Sequence, residues 1–109
     1  MSKGWRSPAL ALAVSVCAAM SSVSARAGDA ALGEYLASEC VTCHQISGQQ
    51  VGGIPAIIGL PQDAFVALMD SYKRRERDNQ VMQAMAARLS AEEVAALAAY
   101  FGSLRPRGN

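Results

Sequence analysis

The residues able to do chemistry lie together in Cys40-Val41-Thr42-Cys43-His44. Two thiols with two residues between them and an imidazole directly after the second form a C-x-x-C-H pattern. Thiols add across vinyl groups to give thioethers, and one helical turn spaces two sulfurs much as the two vinyls of a haem are spaced. The imidazole is then carried under the iron as the proximal ligand. Zinc binding and dithiol redox chemistry use the same residue types. Zinc needs further Cys or His ligands, whereas the remaining cysteine is Cys17 and there is no second histidine. A thioredoxin-like pair needs a βαβ setting, and the strand signals here are weak. The pattern therefore predicts one covalently bound haem c, attached through Cys40 and Cys43, with His44 on the iron.

The stretch before the motif has the character of an export leader. Lys3 and Arg6 precede an apolar, alanine-rich run from Pro8 to Met20, and Ala25-Arg26-Ala27 fits a small-x-small cleavage site. Residues 1–27 are expected to be a cleaved secretory signal peptide, and residues 28–109 a single monohaem domain. The apolar run falls short of the roughly 20 residues that span a bilayer, so no stable membrane insertion is expected after cleavage. A lipoprotein reading of Cys17 fails because Val16 stands where a small residue belongs. Covalent haem attachment occurs outside the bacterial cytoplasm, so the predicted location is the periplasm.

Removing 27 residues from 109 leaves 82, with seven basic and nine acidic side chains, so a precursor of formal charge +1 becomes a domain of −2. This argues against nucleic acid, which calls for a broad basic excess. A chain this short buries little surface and benefits from a staple, here a largely apolar cofactor.

The elements that must position the motif are helical, giving an all-α class. The first helix is expected over Asp29–Glu39, with Leu32, Tyr35 and Leu36 on one face and Asp29 at its positive start. A second opens near Pro61 and runs to about Arg74, with Phe65, Leu68, Met69 and Tyr72 at i, i+3, i+4, i+7. A third starts at Ser90, with Glu93 completing a capping box and Val94, Leu97, Ala98 and Phe101 as its buried stripe. Gly48, Gly52, Gly53, Pro55 and Gly59 punctuate the loop after the motif, and a short helical turn is expected near Val81 to Arg88. Met69, Met82, Met85 and Lys73 are the distal-ligand candidates, Met69 being already placed on an apolar stripe. Lys73-Arg74-Arg75-Glu76-Arg77 reads either as dipole compensation on a solvated face or as a docking patch for an acidic partner.

Taken together, the helix running into C-x-x-C-H, Ile54-Pro55-Ala56-Ile57-Ile58-Gly59-Leu60, Phe65 to Lys73, Val81-Met82 and Leu89 to Phe101 resemble a class I cytochrome c. The likeness is greatest to the cytochrome subunit of flavocytochrome c sulfide dehydrogenase and related small periplasmic cytochromes. It implies three main helices wrapped around one haem. It also implies Met82, eight residues before the capping serine, as distal ligand, and Pro55 as carbonyl acceptor for the proximal imidazole. Gly33 is implied as the small residue where first and last helices cross, facing Tyr100 or Phe101. Two features depart from the pattern: Gln45 stands where many relatives have glycine, and some relatives carry two haem domains. The function implied is periplasmic one-electron transfer by an electron carrier that is not itself an enzyme. Its partner is a redox protein, with a flavoprotein sulfide dehydrogenase as the specific candidate. The alternatives are a free shuttle between respiratory proteins and, in a different class, a haem sensor or peroxidase-like enzyme with an open iron.

The motif and leader generate the first prediction. The exported protein should begin at or near Gly28 and carry one haem, which intact mass and a pyridine haemochrome spectrum test together. A colourless protein of peptide mass alone would refute the attachment.

Overall fold

Asp29 sets the start of the first helix, its carboxylate accepting hydrogen bonds from the Ala31 and Leu32 amides at 3.0 and 3.2 Å. The computed structural model describes residues 2–5, 9 and 28–107. Apart from 2–5 and 9, the expected leader, including Cys17 and the Ala25-Arg26-Ala27 cleavage site, lies outside the described residues. Four helices follow in order: α1 (Ala30–Ala37), α2 (Gln62–Lys73), α3 (Gln80–Ala87) and α4 (Ala91–Ser103). The only strand-like pairing among the described residues is an isolated bridge between Val51 and Ile54. The all-α expectation holds. No helix among the described residues is long and apolar enough to cross a membrane.

Helix starts were legible from capping chemistry. Ser90 and Glu93 form the expected reciprocal box, Ser90 Oγ accepting from the Glu93 amide at 3.1 Å and Glu93 Oε2 from the Ser90 amide at 2.8 Å. Pro61 sits one position earlier than expected, at the N-cap of α2. The short turn expected near Val81 is a helix of 8 residues. Asn79 explains the difference: its side chain accepts from the Met82 amide at 2.9 Å, making a cap of a stretch that reads as irregular. α1 ends at Ala37 rather than Glu39.

α1 packs on α4, while α2 packs on both α3 and α4. The core gathers Phe65, Met69, Val94, Leu97 and Phe101, with Phe65 and Phe101 rings 5.9 Å apart. Phe101, Leu97 and Val94 are essentially inaccessible to water, each contributing about 1.5–3 kcal/mol by burial. The α1–α4 crossing is closer than side chains allow. A Cβ on Gly33 would lie 2.0 Å from the Ala96 carbonyl oxygen and 2.8 Å from Tyr100 Cβ, so the crossing glycine meets Tyr100 as expected, and Ala96 besides. This approach turns Gly33 and Ala37 to the interface and rotates Tyr35 away from it, to 79% exposure, against its expected place on the apolar face. Leu68, expected on the α2 stripe, also lies at the surface.

Gly33→Ala should therefore destabilise the protein by about 1–3 kcal/mol, since neither backbone can yield without shifting a helix. Gly53→Ala, where a Cβ meets nothing within 4 Å, should stay within about 0.5 kcal/mol of wild type. Urea unfolding of both haem-loaded variants measures the contrast.

Candidate haem-binding site

The backbone does not straighten after α1 but continues to coil through the cysteines. The Ala37 carbonyl accepts from the Cys40 and Val41 amides at 2.9 and 3.0 Å, and the Cys40 carbonyl from those of Cys43 and His44 at 3.2 and 2.9 Å. Thr42 Oγ1 donates to the Ser38 carbonyl at 3.3 Å, fastening the turn to the one before it. Both thiols and the imidazole thus leave one coiled segment, as the sequence spacing predicts.

The two thiols differ in setting. Cys43 is exposed, whereas Cys40 is half-buried and packs against the core. Burial pushes the Cys40 thiol above its ordinary pKa, with the Glu39 carboxylate adding to the effect. Among the described residues no group of three or more His, Cys, Asp or Glu side chains could hold a bare metal ion.

His44 is 8% exposed, the one buried polar or charged residue among the described residues. Its Nδ1 lies 2.7 Å from the Pro55 carbonyl oxygen. A carbonyl can only accept, so Nδ1 carries the proton and donates it, leaving the Nε2 lone pair for a metal. The loop bearing Pro55 is itself held down. The Gly59 amide donates to the Phe101 carbonyl at 2.9 Å, and the Arg107 amide to the Ser47 carbonyl at 3.0 Å. Gly48, at φ 81°, lies where a Cβ would come within 3.0 Å of Pro106. Two thiols on one turn beside a tautomer-locked imidazole fit a covalently attached haem.

Both methionine candidates outside the core lie on α3. Met82 is half-buried and packs against the core cluster, while Met69 is buried within that cluster. Met85 instead lines a groove of about 310 Å³ whose wall also includes Tyr35, Leu36, Cys40 and Leu97. Its Sδ lies 3.2 Å from Arg88 Nη2. That guanidinium also meets Glu39 Oε2 at 2.5 Å, a contact that local sequence could not reveal across 49 positions. The basic run is largely occupied by contacts of its own. Lys73 Nζ donates to the Leu89 carbonyl, Arg74 pairs with Glu76 at 2.9 Å, and Arg77 lies over the Tyr72 ring. Arg75 takes the left-handed position (φ 60°) in the turn that ends α2. The Glu76 and Arg75 amides return to the Ser71 and Tyr72 carbonyls there.

An all-α frame that presents two thiols on one turn, next to an imidazole held by a backbone carbonyl, defines a covalent haem protein. Residues 30–105 match the Cytochrome c family model, and the chain belongs to the cytochrome c family. It is accordingly an electron carrier holding haem c covalently. Among curated relatives, it is 36% identical to a thiosulfate dehydrogenase electron acceptor of Thiomonas intermedia over 66% of this chain and 34% of that protein. It therefore spans about a third of that relative's length. It is 30% identical to the cytochrome subunit of sulfide dehydrogenase of Chlorobaculum tepidum, over 71% of this chain and 70% of that one. A cytochrome c-554(548) of Halomonas halodenitrificans is 36% identical over 71% of this chain and 98% of its own length.

Proposed function

We propose that this cytochrome works in the periplasm as the electron-accepting partner of a dehydrogenase that oxidises sulfide or a related sulfur compound, with His44 and Met82 as axial ligands. The carrying observation is the His44–Pro55 hydrogen bond at 2.7 Å, which presents Nε2 of a buried imidazole at the end of the cysteine turn. Bound haem supplies one-electron chemistry at its iron. The chain supplies the rest. Cys40 and Cys43 hold the cofactor through thioethers. The Pro55 carbonyl draws on the Nδ1–H, which strengthens the imidazole as a donor and fixes its plane. A methionine as the second ligand would raise the potential relative to a second histidine.

Met82 is preferred over Met85 because the Arg88 guanidinium already engages the Met85 sulfur. The Met82 amide is fixed by the Asn79 cap. The sulfur-compound partner is supported by the printed roles of the Thiomonas and Chlorobaculum relatives, and a flavoprotein sulfide dehydrogenase is the specific form. The leader over residues 1–27 supports export. The second reading is a free soluble shuttle, favoured by the match along 98% of the Halomonas cytochrome.

Met82→Ala should lose the weak red-edge sulfur-to-iron band of the oxidised protein, lower the potential and admit carbon monoxide to the reduced iron. Met85→Ala should keep the band and cost about 2 kcal/mol of stability, the low end for a methionine truncation, because the side chain is half-buried. The reverse pattern would assign the iron to Met85.

The partner is tested by gentle purification from the native host. A flavoprotein that co-elutes and reduces the cytochrome when given sulfide supports the subunit reading; a lone cytochrome reduced only by respiratory proteins supports the shuttle.

A further inference from the structure

α3 carries both methionines that compete for the iron; Ala86 anchors one face of it in the core, while its outer flank is held by few polar contacts. It approaches α2 closely, and among the described residues no close backbone contact joins it to α1 or α4. Its remaining flank faces the groove walled by Tyr35, Leu36 and Cys40 from the attachment side. One side chain bridges that groove. Arg88, the C-cap of α3, puts Nη2 2.5 Å from Glu39 Oε2 and 3.2 Å from Met85 Sδ. Glu39 directly precedes Cys40, so the carboxylate is fastened to the haem-attachment turn itself. On the other flank, Lys73 ties α2 to the Leu89 carbonyl just beyond α3. Arg88 is thus the polar tie between the methionine helix and the cysteine turn.

We propose that Arg88 is a positioning residue for the axial methionine, joining Glu39 to the Met85 sulfur and so holding α3 against the haem-attachment turn. This rests on the reading that a methionine of α3 binds the iron. The geometry suits arginine in particular, because a rigid planar guanidinium can address a carboxylate and a neighbouring sulfur at once, where a lysine ammonium is a point charge. Both side chains of the pair are more than half exposed, at 60% and 63%, so breaking it shifts an equilibrium by no more than about fivefold. The effect appears in how often the thioether leaves the iron, and the fold is retained.

The experiment is carbon monoxide binding to the reduced, haem-loaded protein at low salt and saturating ligand, where departure of the thioether limits the rate. Arg88→Gln and Glu39→Gln should each speed binding by about two- to fivefold, and the double variant should go no faster than the faster single one. The charge-swapped Glu39→Arg/Arg88→Glu protein should return towards the wild-type rate. Arg74→Gln, which breaks an exposed pair confined to the α2 turn, should leave the rate unchanged. A merely structural role for Arg88 would move the urea midpoint and not this rate. A wild-type rate in Arg88→Gln overturns the proposal, as does a double variant whose acceleration is the product of the two singles. Failure of the methionine reading shows itself separately: Met82→Ala and Met85→Ala would then each keep the red-edge band, alone and combined.

Discussion

The notch at Gly33 decides where everything else can stand. With no side chain at that position, the Ala96 carbonyl oxygen sits where a Cβ would be, 2.0 Å from the ideal site. Closeness here fixes the angle and depth of α1 on α4. The cysteine turn is a continuous coil from the end of α1, bonded back to Ala37. Any shift of the crossing is therefore transmitted directly to Cys40, Cys43 and His44. The far end of α4 acts on the other side of the same imidazole. The Phe101 carbonyl accepts from the Gly59 amide, while in the tail the Arg107 amide donates to the Ser47 carbonyl and Pro106 lies against Gly48. The middle and the C-terminal end of one helix thus position both the turn that supplies His44 and the loop that supplies its carbonyl partner.

That arrangement explains which parts were legible in the sequence. Caps are local: Asp29, Ser90 with Glu93, and Pro61 announce their helices within four residues. The motif is local too, because one helical turn brings its groups together. Gly33 and Pro55 were placed by resemblance, and the structure gives each the contact expected of it. Asn79 carried a readable signal, a capping residue ahead of an apolar run, yet its neighbours Asp78 and Gln80 suggested an irregular stretch.

What the sequence hid depends on rotation and distance. Helical periodicity puts Leu32, Tyr35 and Leu36 on one face, but the small residues at the crossing set a different interface and Tyr35 turned outward. Periodicity finds an apolar stripe without saying where its edges fall. The basic run after Tyr72 looked like one patch of charge. In three dimensions it divides into a carbonyl tie, an ion pair, a left-handed turn residue and a cation over an aromatic ring. Of four like charges in sequence, three enter separate contacts and Arg75 turns the chain.

The segment that carries His44 and the helix that carries Met82 and Met85 are consequently built to different stiffness. On the proximal side, His44 is buried and its carbonyl partner belongs to a loop held by backbone hydrogen bonds to α4 and the tail. Such bonds are shielded and mutually reinforcing. α3 is 8 residues long; among the described residues its close backbone approach is to α2, and Ala86 anchors it in the core. Its polar restraints include the Asn79 cap, the Gln83 bond to the Arg77 carbonyl, the Lys73 contact and the exposed Arg88–Glu39 pair. Exposed ion pairs are weak and screened by salt. In the proposed ligation, a histidine held by covalently continuous, buried structure would be paired with a methionine on a short helix with several exposed contacts. If a methionine of α3 binds the iron as proposed, that bond would be the first to open under heat, denaturant or a competing ligand, while the cysteines and histidine would keep the cofactor in place.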